Sequence, residues 1–255
     1  YYVSPSGDNT TGLTETKAFK TIAKAASLTL PGDTVLVMNG DYTEPRVGYD
    51  VVPVRVSGTE GNPITYKSYL GHTPRVIVGP QNWSGFSVKA SYITIEGFEV
   101  DGNAENITYD YAYALKDVST STTAASCIGG DGRQVSTILH HIIIRNNTVH
   151  HCPGQGIGVI WGDYVTIENN IVYSTSWWTK YGTSGINLYL QRDIDTSTGI
   201  KNFIRRNVSY DNENYIPTYT NGKITDGNGI IIDDNKHTQD TTPAYQGGTL
   251  VENNI

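Results

Sequence analysis

The sequence is short of what helical and membrane proteins are made from. Charged residues supply only 17% of the 255 positions, against roughly 25% in an average soluble domain, and Ala, Leu, Glu and Lys do not lead the composition. That excludes a helical bundle or a coiled coil. No apolar run approaches the roughly 18 residues a membrane-spanning helix needs, so no span is expected. The two cysteines, Cys127 and Cys152, stand 25 residues apart and are too few for a disulfide framework. Positive charge is also scarce: 18 Lys and Arg face 25 Asp and Glu, and the net −7 invites neither nucleic acid nor an anionic membrane surface. No signal peptide is visible, since Tyr1-Tyr2-Val3 opens directly in strand-like residues, as a processed mature chain would.

What the chain has in quantity is Thr (31), Gly (27), Asn (20) and Tyr (18), alongside Ile and Val. That mixture describes many short strands joined by tight turns. Its aliphatic and aromatic content is too high for disorder. As one domain it lies at the upper end of the usual size range. Five Asn-x-Ser/Thr sequons, at Asn9, Asn82, Asn106, Asn146 and Asn207, permit N-glycans on an exported protein.

The chain divides into a head and a repeating body. In the head, residues 1–44, Phe19, Ile22, Ala23, Ala26 and Leu30 follow helical spacing, with Thr16 as a candidate cap. Pro31-Gly32-Asp33 stops that helix, Thr34–Val37 reads as a strand, and a turn over residues 57–63 leads into the strand Ile64–Lys67. The body, residues 45–255, carries a degenerate repeat. Ile95-Glu96-Gly97, Ile144-Arg145-Asn146-Asn147, Ile167-Glu168-Asn169-Asn170, Ile204-Arg205-Arg206-Asn207 and Val251-Glu252-Asn253-Asn254 begin 49, 23, 37 and 47 residues apart. A second register, at Ile128, Ile157, Ile186 and Ile230, advances with it in steps of 29, 29 and 44.

A minimum period near 23 with variable excess suits stacked coils with inserted loops, and is too short for a propeller blade of about 40–50 residues. The expected fold is all-β: a single right-handed parallel β-helix over residues 1–255 with a short N-terminal capping helix. Asn at a fixed point suits a turn in left-handed backbone, and Asn147, Asn170, Asn207 and Asn254 are expected to form a turn ladder along the axis. The last repeat stops at Ile255 without a cap, so further coils are expected beyond it.

Tyr2-Val3-Ser4-Pro5-Ser6-Gly7, Ala18-Phe19-Lys20-Thr21-Ile22, Pro31-Gly32-Asp33-Thr34-Val35, Gly40-Asp41-Tyr42 and Ser57-Gly58-Thr59-Glu60-Gly61-Asn62-Pro63-Ile64-Thr65 together resemble the entry segment of secreted β-helix polysaccharide lyases. The resemblance is to pectate lyases of the family-nine type and to the alginate and chondroitin lyases that share their head; the body matches only as generic repeats. It implies a secreted enzyme acting on an acidic polysaccharide by β-elimination. It also implies calcium held by clustered Asp, and a Lys or Arg that takes the proton alpha to the uronate carboxyl.

Strand residues alternate in direction and adjacent coils lie about 4.8 Å apart, so the second register puts Asp131, Ile160, Tyr189 and Asp233 on one outward row roughly 14–15 Å long. Asp163, Arg192 and Lys236 follow two or three positions on. Calcium takes six to eight oxygen ligands, of which Asp226, Asp233, Asp234 and Asn235 are the candidates. Lys180, Arg192 and Lys236 are the candidate catalytic cations: a lysine as base, and Arg192 to grip a substrate carboxylate with two donors. Trp177 and Trp178 are candidate sugar platforms or a hydrophobic lid, and Tyr189, Asp131 and His151 are further substrate-binding candidates. The pairs His140-His141 and His150-His151 suggest zinc or acid–base work, but few carboxylates accompany them in sequence. His150 shares the repeat position of Tyr173 and Tyr210, which reads as structural. Two rival functions stand beside the lyase. One is a glycoside hydrolase using a pair drawn from Asp131, Asp226, Asp233 and Asp234; the other is a non-catalytic β-helix that binds glycans or spaces other domains. The net −7 favours a polyanionic substrate only if calcium bridges the charges.

Overall fold

The computed structural model describes residues 1–255. Its strands pair only in parallel and fall into three sheets, to which each coil contributes in turn. One sheet holds eight strands, from Tyr2–Val3 through Ile93–Glu96, Leu139–Arg145, Gly162–Glu168 and Ile200–Arg205 to Gly248–Glu252. A second holds six, from Asp41–Tyr42 through Glu99–Asp101, Thr148–His150 and Ile171–Tyr173 to Val208–Tyr210. The third also holds six: Val52–Val54, Ser84–Val88, Ser126–Asp131, Ile157–Ile160, Ile186–Tyr189 and Ile230–Asp233. This is the parallel β-helix that the two advancing registers require. No helix is long and apolar enough to cross a membrane.

The alternation of each strand sends one set of side chains inward, where like stacks on like. Ile95, Ile144, Ile167 and Ile204 pair across four coils, and Phe86, Ile128, Ile157 and Ile186 do the same in the third sheet. All eight belong to one interior cluster of 38 buried residues. Each such side chain is worth about 1.5–3 kcal/mol when fully buried. The repeat excess is loop: the 49 residues between Ile95 and Ile144 accommodate the short helices Tyr109–Ala114 and Ser121–Ala124.

One expectation is corrected and two are refined. The capping helix is shorter than the spacing suggested, running Ile22–Ala26, and its cap is Thr21, whose hydroxyl accepts from the Lys24 amide at 3.1 Å. Phe19 is drawn out of the helix because it bridges Val3 as an extended residue, and Leu30 lies 65% exposed. The cysteines are joined, Cys127 to Cys152, with Cα atoms 5.7 Å apart. Their 25-residue separation is close to one coil, so one circuit of the helix returns the chain to the same side. A loop of that length lends about 3 kcal/mol by restricting the unfolded chain. Among the sequons, Asn82 and Asn207 are buried with their amides engaged, so neither presents an accessible side chain for a glycan in this fold.

The ladder exists, with the left-handed residue one place earlier than expected. Gly97, Asn146, Asn169, Arg206 and Asn253 carry φ between 54° and 80°, and the residue after each turns its side chain inward. Asn170 Oδ1 accepts from both the backbone and side-chain amides of Asn147 at 3.0 Å, while its own Nδ2 donates to Ile144 O at 2.9 Å and to Asn207 Oδ1 at 3.0 Å. Asn207 repeats the pattern onto Asn254 and Ile167 O, and Phe98 N donates to Asn147 Oδ1 at the start of the ladder. Only an amide supplies the donor and the acceptor this stack needs. Asn147, Asn170 and Asn207 are 0–1% exposed, so a missing partner leaves a dry backbone amide. We predict that Asn170→Ala lowers unfolding free energy by about 3 kcal/mol in chemical denaturation. Asn254→Ala, at a partly buried position, costs less. Equal costs for the two would contradict the burial argument.

Candidate active-site groove

In the third sheet, the residue after each inward Ile points outward. Two parallel rows result: Ser87, Gly129, Gly158, Asn187, Ile231 and Asp131, Ile160, Tyr189, Asp233. The second is the row expected from the repeat. Between flanking loops these rows floor a groove of about 850 Å³. Its middle is low because Gly129 and Gly158 carry no side chain, and Gln155 lies across them. A Cβ on Gly158 would stand 2.2 Å from Gln155 Oε1. Trp83 walls one part of the groove, and Tyr181 and Tyr219 wall another, their rings edge to face at 5.6 Å.

The groove is acidic and unevenly neutralised. Asp50 is paired with Arg55 at 2.9 Å. Asp131 is gripped by Arg133 through two donors, at 3.0 and 2.9 Å, and that guanidinium also stands 5.7 Å from the Tyr189 ring. Asp226 accepts only from Thr225, and the Asp233 carboxylate has no ion pair and only the Asp234 backbone amide as a donor. Burial raises the Asp233 pKa above the ordinary carboxylate value, and the negative charges of Asp226 and Asp234 raise it further. Lys89, in line with Asp131 one residue beyond the Val88–Gly130 pair, is a groove cation free of any ion pair within the chain.

The expected site residues separate. Asp131, Tyr189, Asp226 and Asp233 line the groove. Asp234 does not: its carboxylate accepts from the Thr238 amide and hydroxyl and from the Gln239 amide, all at 2.7–2.8 Å, to shape its own loop. Asn235 and Lys236 also lie outside the lining, Lys236 exposed. Arg192 is diverted to Asp240 at 3.0 Å and lies flat on Trp161 at 3.4 Å. Lys180 donates to Asp117 O at 3.1 Å, yet its ammonium remains 5.4 and 5.7 Å from the groove rings of Tyr181 and Tyr219. Trp178 is a lid residue, buried with Ala104, Ile107, Ala112 and Ile216, and Trp177 packs against it. His151 sits with them beyond the groove, 6.4 Å from Trp177. Asp163 is fully buried, not outward.

Sequence reasoning missed Lys89, Arg133, Gln155 and the glycine floor. The recurring Ile-Gly in Ile128-Gly129 and Ile157-Gly158 was the available signal, since a residue after an inward Ile must face out. It also missed a buried hub in the eight-stranded sheet. Lys201, 1% exposed at its side chain, meets Asp163, Asp193 and Asp195 at 2.8, 2.9 and 3.1 Å. Asp193 in turn accepts from the Gln246 and Gly247 amides, and Tyr245 donates to Asp163 at 2.8 Å. The hub therefore ties down the segment around Asp193 and the segment ending at Gly247, part of the excursion that carries Gln239 to the groove.

Residues 1–255, the whole chain, match the family described as "Pel9A-like, right handed beta helix region". Uncharacterized protein YwoF of Bacillus subtilis (strain 168) is 28% identical over 148 residues, which is 58% of this chain and 28% of that protein. The crystal structure of pectate lyase Pel9A superposes with a TM-score of 0.60 at 19% identity, over 100% of this chain and 62% of that one. A GH136 lacto-N-biosidase from Eubacterium ramulus gives 0.58 at 16%, over 100% and 55%. At such identities the structural likeness speaks to the right-handed β-helix fold alone. The chain spans less than a third of the curated relative and less than two thirds of either solved chain.

The unpaired charge at Asp233 carries a stability signature. Because its folded pKa is raised, ionised Asp233 weakens the fold at neutral pH, and that burden disappears as pH falls through the folded value towards the ordinary one near 3.8. In chelator-treated protein, Asp233→Asn should melt higher than the parent at pH 7, and the gap should close by about pH 3. A lower melting temperature for the variant at pH 7 would show a satisfied carboxylate.

Proposed function

The chain belongs to the Pel9A-like right-handed β-helix family, and from that premise we propose that its groove binds an extended uronate-containing polysaccharide and cleaves it by calcium-assisted β-elimination. The carrying observation is Asp233 with Asp226: two carboxylates lining one open groove, the pKa of the first raised by burial and then by the charge of the second, with no cation of the chain paired to either. Hard oxygen donors of this kind fit calcium as part of a ligand set that substrate carboxylates and water would complete. Bound there, the ion would neutralise the groove and stabilise negative charge developing on the uronate.

This chain's own residues supply the rest. Trp83, Tyr181 and Tyr219 offer ring faces for sugars. Lys89 and Arg133 offer positive charge to uronate groups along the floor. Lys180, on the Tyr181–Tyr219 rim, is the proposed base: as the free amine, released from the Asp117 carbonyl, it takes the C5 proton, the C4–O glycosidic bond breaks as the C4–C5 double bond forms, and water protonates the departing sugar oxygen. The buried Cys127–Cys152 bond supports export, because such bonds persist in oxidising compartments.

A second reading is favoured by one specific observation. A carboxyl with a raised pKa beside a second carboxyl is the arrangement of a glycoside hydrolase, with Asp233 as acid and Asp226 as its partner. The chemistry of the product separates the two. With polygalacturonate or alginate, the first reading expects unsaturated uronide absorbance that chelator abolishes and calcium restores. New reducing ends without absorbance, indifferent to chelator, would overturn it in favour of hydrolysis. Either way Asp233→Asn should lose at least about 100-fold in rate. No turnover across a broad polysaccharide panel would overturn both and leave a glycan-binding or spacer β-helix.

A further inference from the structure

The strongest unassigned feature lies outside the groove, on the sheet that contains Glu99–Asp101 and Thr148–His150. In register, His150 sits directly beside Asp101 of the preceding coil. His151 follows in left-handed backbone, φ 52°, which swings its ring back to the same point. His150 Nδ1 and His151 Nδ1 face each other at 2.8 Å, and they stand 3.2 and 3.5 Å from one Asp101 oxygen. The carboxylates that the sequence did not place near these histidines are thus brought in from the neighbouring coil.

The outer nitrogens decide what this triangle can hold. His150 Nε2 is 3.3 Å from Glu99 Oε1, and His151 Nε2 is 3.6 Å from Glu105 Oε2. The Glu99 carboxylate at His150 Nε2 favours the tautomer that keeps hydrogen there, and Glu105 stands just beyond hydrogen-bond reach of His151 Nε2. Both Nδ1 atoms are then bare, and three lone-pair atoms converge: two imidazole nitrogens and one carboxylate oxygen. Such a convergence repels itself unless a proton or a metal ion lies between its members. The edges of 2.8, 3.2 and 3.5 Å bracket the roughly 3.3 Å between neighbouring ligands of a tetrahedral ion with bonds near 2.0–2.1 Å. Carboxylates behind both rings are the usual support of metal-bound histidine, fixing tautomer and orientation. The nearest competing cation, Arg75, reaches the other Asp101 oxygen at 3.6 Å and is already held by Asp41 at 2.8 Å.

We propose that His150 Nδ1, His151 Nδ1 and Asp101 form a binding site for a zinc-class divalent cation, separate from the groove. Imidazole nitrogen selects zinc-class ions over calcium, which takes oxygen ligands. The side chains of His151 and Asp101 are 23% and 20% exposed, so the fourth position opens to solvent. An ion there would clamp two successive coils next to Cys152 and below Trp177, stiffening the side of the helix that carries the inserted aromatic loops.

The test uses the full chain, stripped with chelator and titrated with zinc chloride by calorimetry. One equivalent should bind with micromolar affinity or better, and the melting temperature should rise with zinc concentration. His151→Ala and Asp101→Asn should each weaken binding at least about tenfold, as should Glu105→Gln through the supporting shell. His141→Ala, in the other histidine pair, should leave it unchanged. Absence of zinc binding, displacement of zinc by equimolar calcium chloride, or unchanged affinity in both His151→Ala and Asp101→Asn would overturn the proposal.

Discussion

Everything in this molecule depends on coils staying in register, and the buried amide ladder is the interaction that holds them there. A parallel sheet permits one-residue slips at modest cost to its backbone bonds, but a slip turns every side chain to the opposite face. Asn147, Asn170, Asn207 and Asn254 forbid it. Asn147, Asn170 and Asn207 each close bonds to the coil on either side from a position where water cannot substitute, and Asn254 bonds back to the coil before it. With the turn fixed, Ile stacks on Ile inside, and Asp131, Tyr189 and Asp233 fall on one row outside.

The groove is a consequence of that register and of two omissions. Gly129 and Gly158 leave a low floor, and the chain supplies no cation for Asp226 and Asp233. Elsewhere the fold neutralises its carboxylates with care, as Arg133 does for Asp131 and Lys201 does for three at once. A like-charged pair left bare against that background weakens the fold at neutral pH, and in the proposed reading it is where a positive partner or a shared proton would sit. Stability and the proposed chemistry pull in opposite directions at Asp233.

Periodic features were legible in the sequence and local exceptions were not. Inward Ile, the turn Asn and the outward row follow from alternation and a repeated length, so they could be written down before any coordinate was known. Lys180 and Arg192 were harder, because a loop decides where a long side chain goes: Arg192 found Trp161 and Asp240, and Lys180 found the Asp117 carbonyl. Cys127 with Cys152, and Asp101 with His150 and His151, are contacts between coils whose partners lie 25 and about 50 residues away. Their pairing needs the exact length of each inserted loop, which a degenerate repeat does not state. The left-handed residue preceding each ladder Asn was obscured for a related reason: Arg206 occupies that position as readily as Asn.

If register builds the proposed sugar-binding groove on the third sheet, a crystal of the Asp233→Asn protein soaked with a galacturonate oligosaccharide will show it. Sugar density should run along the axis over Gly129 and Gly158, with ring faces against Trp83 or Tyr219 and one uronate beside Asp226. Ordered sugar on either of the other two sheets, with this groove left empty, would contradict it.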